Sequence, residues 1–431
     1  MAVSIASSAL PARSFRLLHA SDLHLERVPS GLREIPEHLR ARLVDTSYAA
    51  ARRLFATAIT EQADAVLLAG DVVDLALAGP RAVVFLREQF ELLAAEGIEV
   101  YWAGGRTDPP QAWPRVSPLP GNVHVFPAEQ VQHFDLHQDG ETVARIAGIS
   151  SNGDARPNLA QFTPHPDGLL TIGVTYGRYS QADLAEQLVP YLAVGGRHGR
   201  KSFASNDRSR TLHYAGTTQG MSPKETGPHG CTLITFQSDG TLRTHSVATD
   251  AFRWELERVE VEDAMEPSEH EQRLFAAAER LHAAAGAGDT FVRWQVDGTG
   301  PALERLRPAA ARRKLIDRLR DRFGHTDPCL WSVDVDVPQG GPAKSEWLEE
   351  ETILGDVLRE IEALQAEPAS TLELAAYVFA GDRNSPLADR LLQLSPSDQQ
   401  QILDATREEC VAILSGGGDQ AIRTPLSAQA D

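Results

Sequence analysis

Three apolar runs in the first 104 residues each stop abruptly at glycine or aspartate, and few architectures accommodate that pattern. "FRLLHA" (15–20) stops at Ser21-Asp22, "DAVLLAG" (64–70) at Asp71, and "IEVYWAG" (98–104) at Gly105. Between them, "LRARLVDTSYAAARRLFATAITEQA" (39–63) and "RAVVFLREQFELLAAEG" (81–97) repeat apolar residues at helical spacing. This β-α-β-α-β rhythm predicts a sheet with helices packed on its faces. In such sheets the loops beyond the strand ends are where ligands gather.

Further strand-like runs follow at 122–126, 142–149, 169–176, 191–196, 211–216 and 230–236, with few long helices between them. A four-layer α/β/β/α sandwich accommodates both halves of this region, residues 15–250. Around residue 251 the texture changes to a compact β-α-β-α-β unit, 251–337, expected to be a small α/β domain. "PQGGPAKS" (338–345) reads as a linker and 346–415 as a helical region. The ends, 1–14 and 416–431, read as disordered tails.

At 431 residues the chain is long enough for two or three domains. Its 42% hydrophobic and 23% charged residues are those of a soluble globular protein, and no apolar run reaches the length of a membrane span. The N-terminus lacks the pattern of a secretory signal. Three widely spaced cysteines suggest neither a disulfide framework nor a zinc ribbon, so a cytoplasmic location is the expectation. A formal charge of −19 opposes non-specific adhesion to DNA. The densest basic stretch, 312–325, reads either as an amphipathic helix with Leu315, Ile316, Leu319 and Phe323 inward or as a nucleic-acid face.

The chemistry concentrates at the strand ends. In "SDLHL", Asp22 and His24 lie at positions i and i+2; in an extended chain these point the same way and can share one cation. "AGDVVD" places Asp71 after a glycine that lets the backbone approach a ligand. Either motif alone could be a turn or cap. Together, Asp22-x-His24 and Gly70-Asp71-x-x-Asp74 resemble the calcineurin-like metallophosphoesterases. "YAGTTQGMSPKETGPHGCTLITF" (214–236) is similar to a closing signature of that superfamily's DNA-repair exonuclease branch, departing from it at Ala215, Met221 and Ser222. The small domain is more loosely similar to that branch's capping domain.

The resemblance implies a two-metal phosphodiester hydrolase. It assigns Asp22, His24, Asp71 and His198 to the first metal, with Asp71 as the bridge. For the second metal it points to Arg106, Tyr176 and Gly196, none of which is the ligand expected, and the family's proton-donating His falls at Thr107. The expectation is therefore one divalent cation, Mn2+ by resemblance, with the second site degenerate. Arg106 is a candidate phosphate contact at the vacated position, or a surface loop residue. His165 and His213 are spare histidines with no spacing that assigns them. Two readings follow: a pseudo-nuclease or scaffold subunit with weak or absent catalysis, or an active exonuclease with a rebuilt site. The resemblance also implies DNA as a ligand and a coiled-coil DNA-repair ATPase as partner. The apolar faces of the C-terminal helices (Leu348, Ile353, Leu358, Ile361, Leu364) either dock that partner or pack on their own domain.

Overall fold

A computed structural model describes residues 2–4, 13–32, 34–153, 156–262, 265–284, 288–337, 345–349, 351–366 and 395–414. The linker expected at 338–345 (apart from Ser345), the tail at 416–431, most of the tail at 1–14 and the middle of the helical region lie outside the described residues.

The first thirteen strands are β1 (Ala2–Ser4), β2 (Phe15–Ala20), β3 (Ala65–Ala69), β4 (Glu99–Ala103), β5 (Val123–Val125), β6 (Gln132–Gln138), β7 (Glu141–Ile149), β8 (Thr171–Tyr176), β9 (Tyr191–Gly195), β10 (Lys201–Ala204), β11 (Thr211–Tyr214), β12 (Gly230–Phe236) and β13 (Thr241–Ala248). They form a seven-stranded sheet ordered β1-β13-β12-β2-β3-β4-β5 and a six-stranded sheet ordered β10-β11-β9-β8-β7-β6. Strands β2 to β5 are mutually parallel, as are β7, β8, β9 and β11, so their C-terminal ends align within each sheet. The segment expected to be an N-terminal tail contributes β1, which pairs antiparallel with β13.

Alternation along the strands explains the continuous apolar runs. Leu18, Val66, Leu68, Val100 and Trp102 face helices Thr46–Thr60 and Pro80–Ala95, where they meet Leu54, Phe55, Leu86 and Phe90. Their neighbours Leu17, Ala65, Leu67 and Tyr101 face the second sheet and meet Ile146, Ile172, Val174 and Tyr191. With both faces covered, most positions along these strands are apolar, the exceptions being Arg16 and Glu99 near the strand starts and the buried His19. The outer face of the second sheet buries Ile149, Leu192, Val194 and Leu212 under a thinner layer that includes two short 3-10 helices, Leu159–Gln161 and Ala182–Ala185. The architecture is an α/β sandwich of two sheets and helices.

The chain divides into two compact units. Where the sequence places a boundary at 250/251, the first unit also takes in residues up to Leu256, Ala284–Val292 and Thr326–Val333. The reason is a cluster in which Phe252, Trp254, Phe291, Cys329 and Trp331 bury Leu39 and Leu43 of helix Glu37–Val44. In the second unit, helix Ala309–Phe323 carries the basic stretch. Its Leu315, Leu319 and Phe323 are buried, and its Arg318 and Arg322 pair with Glu271 and Glu279 of helix Pro267–Ala284. The amphipathic-helix reading of that stretch is the one the ion pairs favour, since these two charges are already matched. Helix Ile353–Ala366 buries Leu354, Leu358 and Ile361 and packs against helix Pro396–Leu414, with Gln365 donating to Asp404 at 2.8 Å.

Candidate metal centre and its cleft

All the residues singled out at the strand ends belong to the first unit. Asp22 and His24 follow β2, Asp71 follows β3, Gly105 to Asp108 follow β4, Tyr176 ends β8, and Gly196 to His198 follow β9. They therefore meet at the C-terminal ends of the parallel strands of two facing sheets. The extended geometry expected for Asp22 and His24 is not what the backbone adopts. Asp22, His24 and Asp71 have φ of 52°, 47° and 50°, in the left-handed region. Bonds from Asp22 N to Gly70 O (2.9 Å) and from His24 N to Asp71 O (3.1 Å) tie the two loops together in this shape. Each such residue costs on the order of 1–3 kcal/mol, and such conformations cluster at functional sites.

The loops bring one ligand atom each from Asp22, His24 and His198 to within 4.8 Å of one another. Both imidazoles are oriented by a glutamate of their own. His24 Nδ1 lies 3.0 Å from Glu26 Oε1, and the other oxygen of Glu26 accepts from Asp74 N at 2.9 Å. His198 Nδ1 lies 2.5 Å from Glu225 Oε1, whose second oxygen accepts from Met221 N at 2.6 Å. Burial works to raise both glutamates, but the histidine and the backbone donor outweigh it and hold each carboxyl below its usual range. Glu225 in turn raises His198. With Nδ1 so engaged, Nε2 is the nitrogen each imidazole could offer a cation, and His24 Nε2 is buried without a hydrogen-bond partner among the described residues. Burial raises the Asp22 carboxyl, and the nearby Asp71 charge adds to this. An orphaned imidazole nitrogen beside a strained carboxylate and a second imidazole fits a divalent cation, because a cation relieves each of these costs.

Asp71 is not part of this group. Its Oδ1 accepts from Thr107 N (2.9 Å) and Thr107 Oγ1 (3.1 Å), and its Oδ2 accepts from the Tyr176 hydroxyl at 2.6 Å. Burial and the bond to Asp71 push the Tyr176 hydroxyl well above its ordinary pKa, so it stays a donor. Of the residues expected to mark a degenerate second site, Tyr176 caps the carboxylate that would bridge to it, with Thr107 from the acid position, while Gly196 donates its N–H to Asp22 Oδ2 at 3.0 Å. A phenol, a guanidinium and a glycine offer no suitable donor set for a second cation. Tyr176 also fills the space. A Cβ on Gly196, whose φ is 92°, would lie 3.1 Å from the tyrosine ring. A Cβ on Gly105 would lie 2.6 Å from Asp71 Oδ1.

Asp108, at the end of the same loop, has a different task. Its carboxylate accepts from Asp71 N (2.8 Å), Gly105 N (2.7 Å), Val72 N (3.1 Å) and Trp102 Nε1 (2.8 Å). It clamps the loop after β4 to the loop after β3. Asp74 is likewise structural: its side chain caps Leu75–Ala78 through Ala76 N. Glu26 and Glu225 escaped sequence reasoning as site residues. Glu26 stands two residues after His24, and Glu225 lies inside the closing signature, but neither spacing predicts an imidazole partner.

The residues line a cleft of about 840 Å³ that also contains Arg27, Arg106, Arg156, Arg178 and Arg197. The spare histidines are elsewhere. His213 is buried between Ser202 and Thr232, and His165 bonds locally to Asp167.

Residues 15–184 match the family model for calcineurin-like phosphoesterase. The chain is similar to the uncharacterized metallophosphoesterase YhaO of Bacillus subtilis (strain 168), 26% identical over 339 residues, which are 74% of this chain and 80% of that protein. Among solved structures it is similar to a dimetal phosphatase from Danio rerio, with a TM-score of 0.33 and 11% identity over 53% of this chain and 93% of that one. The family match and the Bacillus relative support placing the chain in the calcineurin-like metallophosphoesterase superfamily.

Proposed function

With the calcineurin-like metallophosphoesterase superfamily as the frame, we propose that this chain is a diverged member of its DNA-repair exonuclease branch that holds a single divalent cation and hydrolyses phosphodiesters weakly or not at all. The observation that carries this reading is the capping of Asp71. A carboxylate that accepts three protein hydrogen bonds on its two oxygens is satisfied without a bridging cation. Asp22, His24 and His198 would hold the one cation, with Glu26 and Glu225 fixing the imidazoles. Their mixed oxygen and nitrogen donors suit Mn2+, the ion the resemblance names, as well as Fe2+ or Zn2+.

A cation at this position supplies Lewis acidity to a phosphoryl oxygen. The chain's own residues provide little else that hydrolysis needs. Thr107 turns its hydroxyl toward Asp71 rather than serving a leaving group. Loss of a general acid typically costs on the order of 10²–10⁴-fold in rate. Binding without efficient turnover suits a scaffold or sensing subunit. A coiled-coil ATPase docked on the C-terminal helices remains part of the proposal. The buried Leu354, Leu358 and Ile361 narrow its footing toward exposed positions such as Ile353.

Elemental analysis of the purified chain, run beside a nuclease assay, tests the reading. The expected result is one divalent cation per chain and no metal-dependent cleavage of DNA above background. The combined variant Arg106→Asn, Thr107→His, Tyr176→His, Gly196→His should take up a second cation. Two cations per chain in the natural sequence, or cleavage abolished by Asp71→Asn, would reject the proposal.

A further inference from the structure

Residues 215–229 carry the chain from one sheet to the other, since β11 belongs to the six-stranded sheet and β12 to the seven-stranded one. The candidate ligands are divided in the same way. Asp22 follows β2 of the seven-stranded sheet, and His198 follows β9 of the six-stranded one. Packing between the sheets fixes the strands, but it does not fix loops that run beyond their ends. The separation of Asp22 from His198 has to be set by contacts among those loops.

Thr217, three residues past β11, places its three polar groups on three different segments. Its N–H donates to His198 O at 2.9 Å, its hydroxyl donates to Asp22 O at 2.6 Å, and its carbonyl accepts from Gly230 N at 3.2 Å. The hydroxyl also lies 3.2 Å from Gln219 O, but it has one proton, and the shorter contact is the better bond. Thr217 is buried, so a carbonyl that loses this donor is left unsatisfied. Asp22 accepts the bond while on a left-handed backbone, a conformation that persists only where the surroundings over-determine it. The segment beyond Thr217 is itself anchored. Gln219 Nε2 donates to Phe252 O at 2.8 Å, Gln219 Oε1 accepts from Ala251 N at 2.6 Å, and Trp254 Nε1 donates to Gly220 O at 3.1 Å. Thr217 therefore holds the two loops from a fixed support.

We propose that Thr217 is a positioning residue that sets Asp22 and His198 at cation-binding separation in the metal-free protein, acting through the backbone carbonyls of both. The inference rests on the reading of Asp22, His24 and His198 as a cation site.

Thr217→Val removes the hydroxyl at nearly constant shape, and Thr217→Ser keeps it. The next residue supplies a matched control. Thr218 is fully buried and its hydroxyl has no hydrogen-bond partner among the described residues, so Thr218→Val makes the same change with no bond lost. Hydrogen-exchange mass spectrometry of the full chain in EDTA reads the loops, and chelator competition reads Mn2+ affinity. In Thr217→Val, exchange over residues 21–25 and 195–199 should rise about tenfold and Mn2+ affinity should fall about tenfold, the scale of one buried hydrogen bond. Exchange in β3 and β8 should not change. Thr217→Ser and Thr218→Val should stay within about twofold of the parent in both measurements, because neither loses a hydrogen bond. If valine at 217 prevents folding, Thr217→Ala makes the same deletion with less bulk.

Faster exchange with unchanged Mn2+ affinity would make Thr217 merely structural and overturn the proposal. The same loss in Thr218→Val, or no rescue by serine, would overturn it as well. The parent chain separates this failure from failure of the site reading. A parent that takes up no Mn2+ rejects the cation site and any positioning toward it. Two Mn2+ per chain reject only the single-cation reading, and a Thr217→Val loss at the tighter ion would still support the proposal.

Discussion

Asp71 receives three donors, which take three of the about four acceptor positions of its carboxylate and leave too few for it to bridge two cations. Tyr176→Phe removes the shortest of these bonds. A hydrogen bond to a charged group is worth about 1.5–3 kcal/mol, so the variant should lose roughly that much stability in EDTA. Millimolar Mn2+ should then stabilise the variant more than the parent, because the released oxygen becomes available to the ion. Equal Mn2+ stabilisation of both proteins in denaturant titrations would remove the capping argument. Glu225→Gln addresses the other side of the cleft. Partners of ligand histidines typically contribute about 10–100-fold to metal affinity, and a loss of that size is expected by chelator competition. Affinity unchanged in this variant would mean that His198 is held by packing alone. At this scale the sequence was informative about residue types at strand ends and uninformative about partners. Asp22, His24, Asp71 and His198 stand out because their positions follow from apolar runs. Glu26 and Glu225 do not: they stand only 2 and 27 residues from their imidazoles, but the pairing depends on the left-handed turn at His24 and on how the loop after β11 folds back onto His198.

In the loop after β4 the assembly of the strand-end loops rests on one carboxylate. Asp108 accepts four bonds from two loops and a tryptophan, all in the interior. Asp108→Asn replaces one acceptor oxygen with a donor that faces donors. The expected loss is about 2–4 kcal/mol, from two broken bonds and their unsatisfied partners, measurable by urea unfolding. A loss below about 1 kcal/mol would show that the clamp is dispensable. Tyr176 and Gly196 couple two further elements, β8 and the loop after β9. Gly196→His alone should destabilise the fold, since its Cβ meets the tyrosine ring on a left-handed backbone. With Tyr176→His present, part of that loss should return, giving a coupling of about 1 kcal/mol or more in a double-mutant cycle. Additive effects would show that the contact carries no coupling. The strands of the central sheets were legible because both faces are buried. Strands β6, β10 and β13 were not, because they are partly exposed and mix polar with apolar residues.

Across the molecule, two buried histidines make stability depend on pH. Burial, with Arg200 nearby, lowers His213 to about 3, and burial also takes His19 well below the ordinary value of 6.5. Between those limits the unfolded chain binds protons that the folded chain refuses, so this contribution is complete above pH 6.5 and is lost as pH falls toward 3. Asp108 acts in the opposite sense: burial pushes it up to about 7, so its contribution weakens as pH rises from the usual carboxyl range toward that value. The difference between the parent and His213→Gln isolates the histidine. The parent's advantage should shrink by about 1.4 kcal/mol per pH unit below 6.5, and a difference independent of pH would exclude the effect. The closeness of Tyr176 to Gly196 has a consequence in evolutionary time. On the proposed one-cation reading, a lineage carrying this pair in place of two histidines cannot easily retrace its steps. Reinstating histidine at 196 first collides with the ring, and removing the ring first uncaps Asp71. On that reading both routes home begin with a loss of stability, so the contact works as a ratchet, and descendants should diversify around the proposed one-cation pocket rather than revert.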